Sequence, residues 1–241
     1  MNIRRHAISR LVCALVCVAC FACAHAQIDG SAAAVSDYRF RGVSLSDKKP
    51  ALQGQIAWTG GSGVFAGMFV STVRLGSNGN NPGLSLQPFG GYTAPISSTW
   101  SWSAGLAGYL FTGEISGGSP DYAEVFARLG SENLQFGVYL SNDYAGTGAP
   151  SAYVSASASR SLTDTVSVVA QVGWLVTGPA DPYHSTYNDT HQLDARIGVV
   201  FDLRQVVLEV SVVGATSDSS ECKGSARLCS PGLVVGIRKN F

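Results

Sequence analysis

Charge is scarce in this chain. Lysine, arginine, aspartate and glutamate make up 13% of its 241 residues, about half of the ~25% usual in soluble domains. Such a composition does not build a surface hydrated on every side. Long apolar runs are missing as well. None after Gln27 reaches the ~18 residues that a membrane-crossing helix needs, so helical spans are excluded. Helical periodicity is nearly absent over the same stretch, which excludes a helix bundle. No basic stripe is present, so nucleic acid is not an expected partner. Cysteine is rare outside the beginning of the chain. Four of the six, Cys13, Cys17, Cys20 and Cys23, fall within the first 26 residues. The other two, Cys222 and Cys229, offer too few ligands for a zinc site, and nothing in the chain calls for a cofactor.

What is present begins with a leader. Arg4, Arg5 and Arg10 precede an apolar run from Leu11 to Ala22, and Ala24-His25-Ala26 follows as a small-x-small cleavage site. This pattern reads as a secretory signal peptide over residues 1–26. A lipoprotein signal acylated at Cys20 or Cys23 is the poorer alternative, because the residues before either cysteine fit a lipobox badly. The expected mature chain, 27–241, suits one large all-β domain or two small ones. Three of the 16 basic residues leave with the leader. Thirteen then face 16 acidic ones, a net charge of −3. An exported chain meets an oxidising compartment, so Cys222 and Cys229 are expected to form a disulfide. The short loop that they close is worth about 2 kcal/mol.

Period two runs through almost the whole mature chain. Strands are expected near 29–40, 51–59, 63–74, 83–93, 99–111, 121–130, 133–142, 151–160, 164–176, 190–201, 204–215 and 230–241. Each is long enough to cross a bilayer when tilted, which takes about 9–11 residues. The connections alternate in length. "GVSLSDKKP", "LGSNGNNP", "TGEISGGSP", "DYAGTGAP", "TGPADPYHSTYND" and the cysteine loop are long; "GGSG", "APISS", "SE", "SLTD" and "DLR" are short. Short periplasmic turns alternating with longer external loops mark an up-and-down antiparallel transmembrane barrel. About twelve strands, with the N- and C-termini periplasmic, reproduce that order.

The faces agree. Leu193, Ala195, Ile197, Val199 and Phe201 oppose Gln192, Asp194 and Arg196; Val206, Leu208, Val210 and Val212 oppose Glu209 and Ser211. A charge facing lipid costs about 2–4 kcal/mol at the midplane, so the charged face belongs to a lumen. The candidate lumen charges are Asp37, Arg39, Arg41, Glu124, Arg128, Asp194, Arg196, Glu209 and Arg238. On the first strand this parity turns Tyr38 and Phe40 towards lipid. Five arginines against four carboxylates set up no field of one sign, so weak ion selectivity is expected. The segment "GVFAGMFVSTV" is apolar on both sides and its faces are not assignable. The chain ends in "GLVVGIRKNF", with Phe241 last, which looks like the assembly signal of bacterial outer-membrane barrels.

The stretch Ser36, Asp37, Tyr38, Phe40, Arg41, Gly42, Val43 and Ser44 resembles the N-terminal signature of the TorF family of proteobacterial porins. So do Lys49, Pro50, Ala51, Gln53 and Gly54, and then Ser62, Gly63, Phe65, Ala66, Gly67 and Phe69. The later "FGGYTAPI" and the paired cysteines before the last strand are similar too. Ala57 and Ser85 depart from it, standing where acidic residues are usual. The resemblance implies an outer-membrane barrel with a pore and brings no catalytic residues. The expected partners are therefore outer-membrane lipid, the barrel assembly machinery and small hydrophilic solutes. Two other readings compete with this. Twelve strands lie between the eight that give a filled interior and the 16–18 that leave a channel, so a closed structural or adhesive barrel is the first. A barrel lipid enzyme is the second. It would draw on His184 or His191 with Asp181 or Asp189, but no convincing triad is formed.

Overall fold

A computed structural model describes residues 27–75, 81–113, 120–178, 190–216 and 226–241. The alternating segments form β1 (Gln27–Val35), β2 (Arg39–Phe40), β3 (Val43–Ser44), β4 (Ala51–Thr59), β5 (Val64–Leu75), β6 (Asn81–Pro95) and β7 (Ser101–Phe111). They continue as β8 (Tyr122–Gly130), β9 (Leu134–Ser141), β10 (Ser151–Ser161), β11 (Val166–Thr177), β12 (Thr190–Asp202), β13 (Val207–Ala215) and β14 (Gly232–Asn240). Twelve of these, β1 and β4 to β14, close an antiparallel barrel in chain order, with β14 returning to β1. Closure leaves no open edge, which is the condition for a sheet in lipid. The short β2–β3 hairpin is separate from the wall.

The side-chain parity is the expected one. Leu52 and Ile28 are each 67% exposed, and Ile197 is 66% exposed. These are apolar groups on the outside of a closed wall, and they form its lipid belt. The charges on that face, Arg74, Arg160 and Lys239, each lie one residue from a strand end, where the cost of a lipid-facing charge falls to about 0–1 kcal/mol. Tyr92 and Trp102 pack together at 5.9 Å near the short-turn end, and Trp58 is beside that end on β4, in the position of an interfacial aromatic girdle. A closed barrel with this belt belongs in the bacterial outer membrane.

One expected strand is shorter than its pattern. β1 stops at Val35. The next residues leave the wall and fold inward, carrying β2 and β3. Tyr38 is therefore buried against Ala51 and Val73, and Phe40 packs on the cluster of Ala107, Tyr109 and Phe126. The expectation that these two aromatics face lipid is corrected. The alternation at Asp37–Arg41 imitates a membrane strand, but after Val35 only Ser36 still extends the ladder, at Val235.

Candidate functional site, a plugged barrel lumen

Residues 36–50 form an inward plug at the end of the barrel that carries the long connections. Local chemistry shapes it. Asp37 accepts hydrogen bonds from the Ser44 hydroxyl at 2.5 Å and the Ser46 hydroxyl at 3.2 Å, and the Ser46 hydroxyl accepts from the Tyr38 amide at 2.9 Å. Arg41, Asp47 and Lys48 hold left-handed backbone, with φ of 49°, 57° and 56°. Non-glycine residues persist there only when their surroundings over-determine them. Gly42, with φ of 81°, lies against the Gly214 carbonyl, where a side chain would clash.

Two arginines fasten the plug to the wall. Arg39 Nε donates to Asp37 at 2.7 Å, and its Nη1 donates to the carbonyls of Gly42, Val213 and Ser230 at 3.0–3.1 Å. Arg41 donates through one nitrogen, Nη2, to both carboxylate oxygens of Glu124 at 2.8 Å, a charge-assisted contact. The Tyr109 hydroxyl donates to the same carboxylate at 3.0 Å, and the Gln192 amide donates to the Arg41 carbonyl at 2.9 Å. Rings surround the guanidinium: its carbon lies 4.1 Å from the Tyr153 centroid, 4.8 Å from Phe40, 5.5 Å from Tyr144 and 5.7 Å from Tyr139. This is an aromatic box with a carboxylate at its base. Beside it the Tyr153 hydroxyl donates to Asp194 Oδ1 at 3.3 Å. Gly173 leaves the space that both groups occupy. At the rim, Asp47 pairs with Lys49 at 3.1 Å and with Arg227. Burial works to raise the Asp47 carboxyl, but hydrogen bonds and charge from Lys49 and Arg227 outweigh it and hold it below its ordinary value.

Below the plug the lumen opens. A cavity of about 330 Å³ runs under Asp37, Tyr38 and Arg39 along β12–β14 and β1. A second, of about 310 Å³, opens at the short-turn end against β9–β11. Arg196 lines both. It pairs with Glu209 across β12 and β13. Arg238 lines the first cavity and takes part in no ion pair among the described residues. Arg128 stacks over Phe126 at 4.3 Å. Arg128 apart, the candidate charges fall into two groups. Asp37, Arg39, Arg41, Glu124 and Asp194 serve the plug, whereas Arg196, Glu209 and Arg238 line open space.

The sequence reading missed the tyrosines. Tyr109, Tyr139 and Tyr153 stand at lumen parity towards the long-connection ends of their strands, and that placement was the available signal. Tyr144 comes from the 142–150 connection, where no periodicity marks it. His191 stacks on Trp174 at 5.9 Å on the outer face of the barrel. His184, Asp181, Asp189 and Cys222 lie outside the described residues. Cys229 is fully buried beside Val43. Phe241 exchanges backbone hydrogen bonds with Gly30 at 2.9 and 3.0 Å and lays its ring over that glycine.

A closed twelve-strand barrel with a lipid belt and a part-filled polar lumen has the architecture of an outer-membrane porin. Solved structures of that class share its fold. The COG4313 outer membrane channel from Pseudomonas putida F1 is 9% identical, with 89% of this chain and 95% of that one covered and a TM-score of 0.53. The NanC porin is 11% identical, with 89% and 99% covered and a TM-score of 0.52. The KdgM porin is 10% identical, with 90% and 99% covered and a TM-score of 0.50. In sequence, residues 22–241 match the family described as "Bacterial protein of unknown function (Gcw_chp)", and the chain belongs to that family. No curated protein matches it.

Proposed function

We propose that this protein is a porin-like channel of the TorF kind, passing small hydrophilic solutes by diffusion through a lumen narrowed by residues 36–50. The observation that carries this is the open part of the lumen: two cavities that share Arg196, the first setting Arg196, Glu209 and Arg238 among valines, the second lined mainly by serine, glutamine and asparagine. Catalysis is no part of the reading. The closed structural barrel is the second reading, favoured by the aromatic filling of the long-connection end. Single-channel recording of the refolded protein decides between them. Small, stable conductance steps are expected. Their absence from the wild type and from plug-weakened variants alike would make the barrel a closed one.

The remaining parts of the reading have their own tests. Residues 1–26 act as the export signal, and both termini of the mature chain lie in the periplasm. A protease added to intact cells should therefore cut only in the long connections. Phe241 serves as the recognition end for the barrel assembly machinery, so its deletion should lower outer-membrane yield. Cys222 and Cys229 form a disulfide in the last long connection. Mass spectrometry should find both thiols blocked, and two free thiols would refute the pairing.

A further inference from the structure

The box around Arg41 has the composition of a ligand site, and the plug itself supplies its occupant. Four rings surround one planar cation, both oxygens of one carboxylate accept from one of its nitrogens, and a tyrosine hydroxyl steadies that carboxylate. A flat guanidinium can lie against the rings while a second nitrogen stays free for another acceptor; a compact ammonium has no flat face to do so. The match between box and occupant is incomplete. Arg41 Nη1 and Asp194 Oδ2 are both buried and have no hydrogen-bond partner among the described residues. Asp194 is only 6% exposed, and its carboxylate sits beside the hydroxyl of Tyr153, the nearest ring of the box. One donor on Arg41 and one acceptor beside Tyr153 are thus left over. The residue that fills the box holds left-handed backbone, and so does Gly42 after it.

We propose that this box is a binding site for small solutes bearing a guanidinium group, and that Arg41 is a tethered stand-in which keeps the site filled until such a solute displaces it. A free guanidinium compound can address Glu124, the rings and the vacant oxygen of Asp194 at once, without the backbone constraint that fixes Arg41. Displacement would release the plug from its deepest anchor, so solute binding and opening are coupled. The tether favours Arg41 strongly, because a short linker holds its group at an effective concentration of order millimolar. The conduction part of this proposal rests on the channel reading; the binding part does not.

The test uses Arg41→Ala in the refolded full-length barrel, titrated with guanidinium chloride against sodium chloride and methylammonium chloride at equal ionic strength. Guanidinium at about 0.1 mM should raise the thermal unfolding temperature of Arg41→Ala, and the wild type should need at least ~10-fold more for the same rise. In planar bilayers the same additions should reduce the current of Arg41→Ala at least two-fold. Adding Glu124→Gln to Arg41→Ala should abolish both effects. Equal responses to guanidinium and methylammonium, or a guanidinium response that survives Glu124→Gln, would overturn the proposal. If Arg41→Ala does not refold, Arg41→Lys carries the same titration, since its ammonium cannot stack flat on the rings. Absence of current from every variant would count against the channel reading alone, and the shift in unfolding temperature would still decide this one.

Discussion

The two ends of the lumen are built from the same twelve strands and the same alternation, yet one is filled and the other is open. β10 shows the contrast within one strand: Tyr153 is 4% exposed beneath the plug, while Ser155, Ser157 and Ser159 follow on the same inner face towards the short-turn end. β8 does the same, passing from buried Glu124 and Phe126 to Arg128. The filled end owes its packing to the plug, whose rings and paired charges need partners of matching size. Phe65 and Phe89, 6.5 Å apart, extend that packing down the β5–β6 wall. The open end has no such insert, so small hydroxyls and amides suffice there and water can enter. Charges at the filled end are therefore structural, and charges at the open end are available to solutes.

The largest expected effect probes the filled end. Glu124→Ala strands the Arg41 charge in a dry site and should destabilise the barrel by about 3–5 kcal/mol. This is read as a lower temperature for the heat-dependent mobility shift on gels. The double change Arg41→Met with Glu124→Leu should recover most of that loss. By contrast Glu209→Gln, at the open end, should cost no more than about 1 kcal/mol, since its ion pair with Arg196 is part-hydrated. Equal losses from Glu124→Ala and Glu209→Gln would dissolve the distinction between the two ends.

A second change tests the wall that both ends share. Ile197 lies mid-strand on the lipid face, 66% exposed, and Ile197→Arg should cost about 2–4 kcal/mol and lower insertion yield. Leu208, also on that face, is a poorer probe, because it is only the second residue of β13. Selectivity comes next in size. Arg238→Gln should shift the reversal potential in a salt gradient towards cations, because Arg238 lines open space. Asp194→Asn should leave it unchanged, because that carboxylate is enclosed. A shift from Asp194→Asn as large as that from Arg238→Gln would mean that the filled end conducts.

The smallest effect concerns the rim. The Asp47 carboxyl is held below its unfolded value of about 3.9. Its contacts with Lys49 and Arg227 therefore contribute fully above that value and are lost as pH falls through the lower, folded one. Current fluctuations from the rim should increase only under acid conditions in the wild type. In Asp47→Asn they should be present at every pH, and a pH-independent wild type would remove the rim from the account.

Most of the wall was legible in the sequence, because lipid imposes an unbroken apolar face and the short turns keep register. β4 shows this most clearly, with Leu52, Ile56 and Trp58 outside and Gln53 and Gln55 inside. The plug was not legible, for a physical reason. Asp37-Tyr38-Arg39-Phe40-Arg41 alternates like a membrane strand, but its aromatics bury against protein instead of lipid. The same cause hid the faces of β5. Phe65, Phe69 and Val73 are apolar on the inner side because they meet the plug and its neighbouring rings. The nine candidate charges were chosen by parity alone. Their division into structural and solvent-facing groups depends on which of them the plug covers, and no local pattern encodes that.

The attachment of the plug also has a consequence in time. Eleven of the barrel's twelve strand pairings join strands consecutive along the wall, while β1 must find β14 about 200 residues away, over only the five pairs from Ser31–Asn240 to Val35–Gly236. Loop-closure entropy makes that last pairing the slow, non-local step of folding. The segment that follows β1 reaches across this seam. The Ser36 amide donates to the Val235 carbonyl at 2.8 Å, Arg39 holds the carbonyls of Val213 and Ser230, and Lys48 Nζ donates to the Ser230 hydroxyl at 2.7 Å. The element that narrows the finished barrel is thus also the clasp of its closing seam, and a chain whose first loop is weakened should linger as an unclosed sheet.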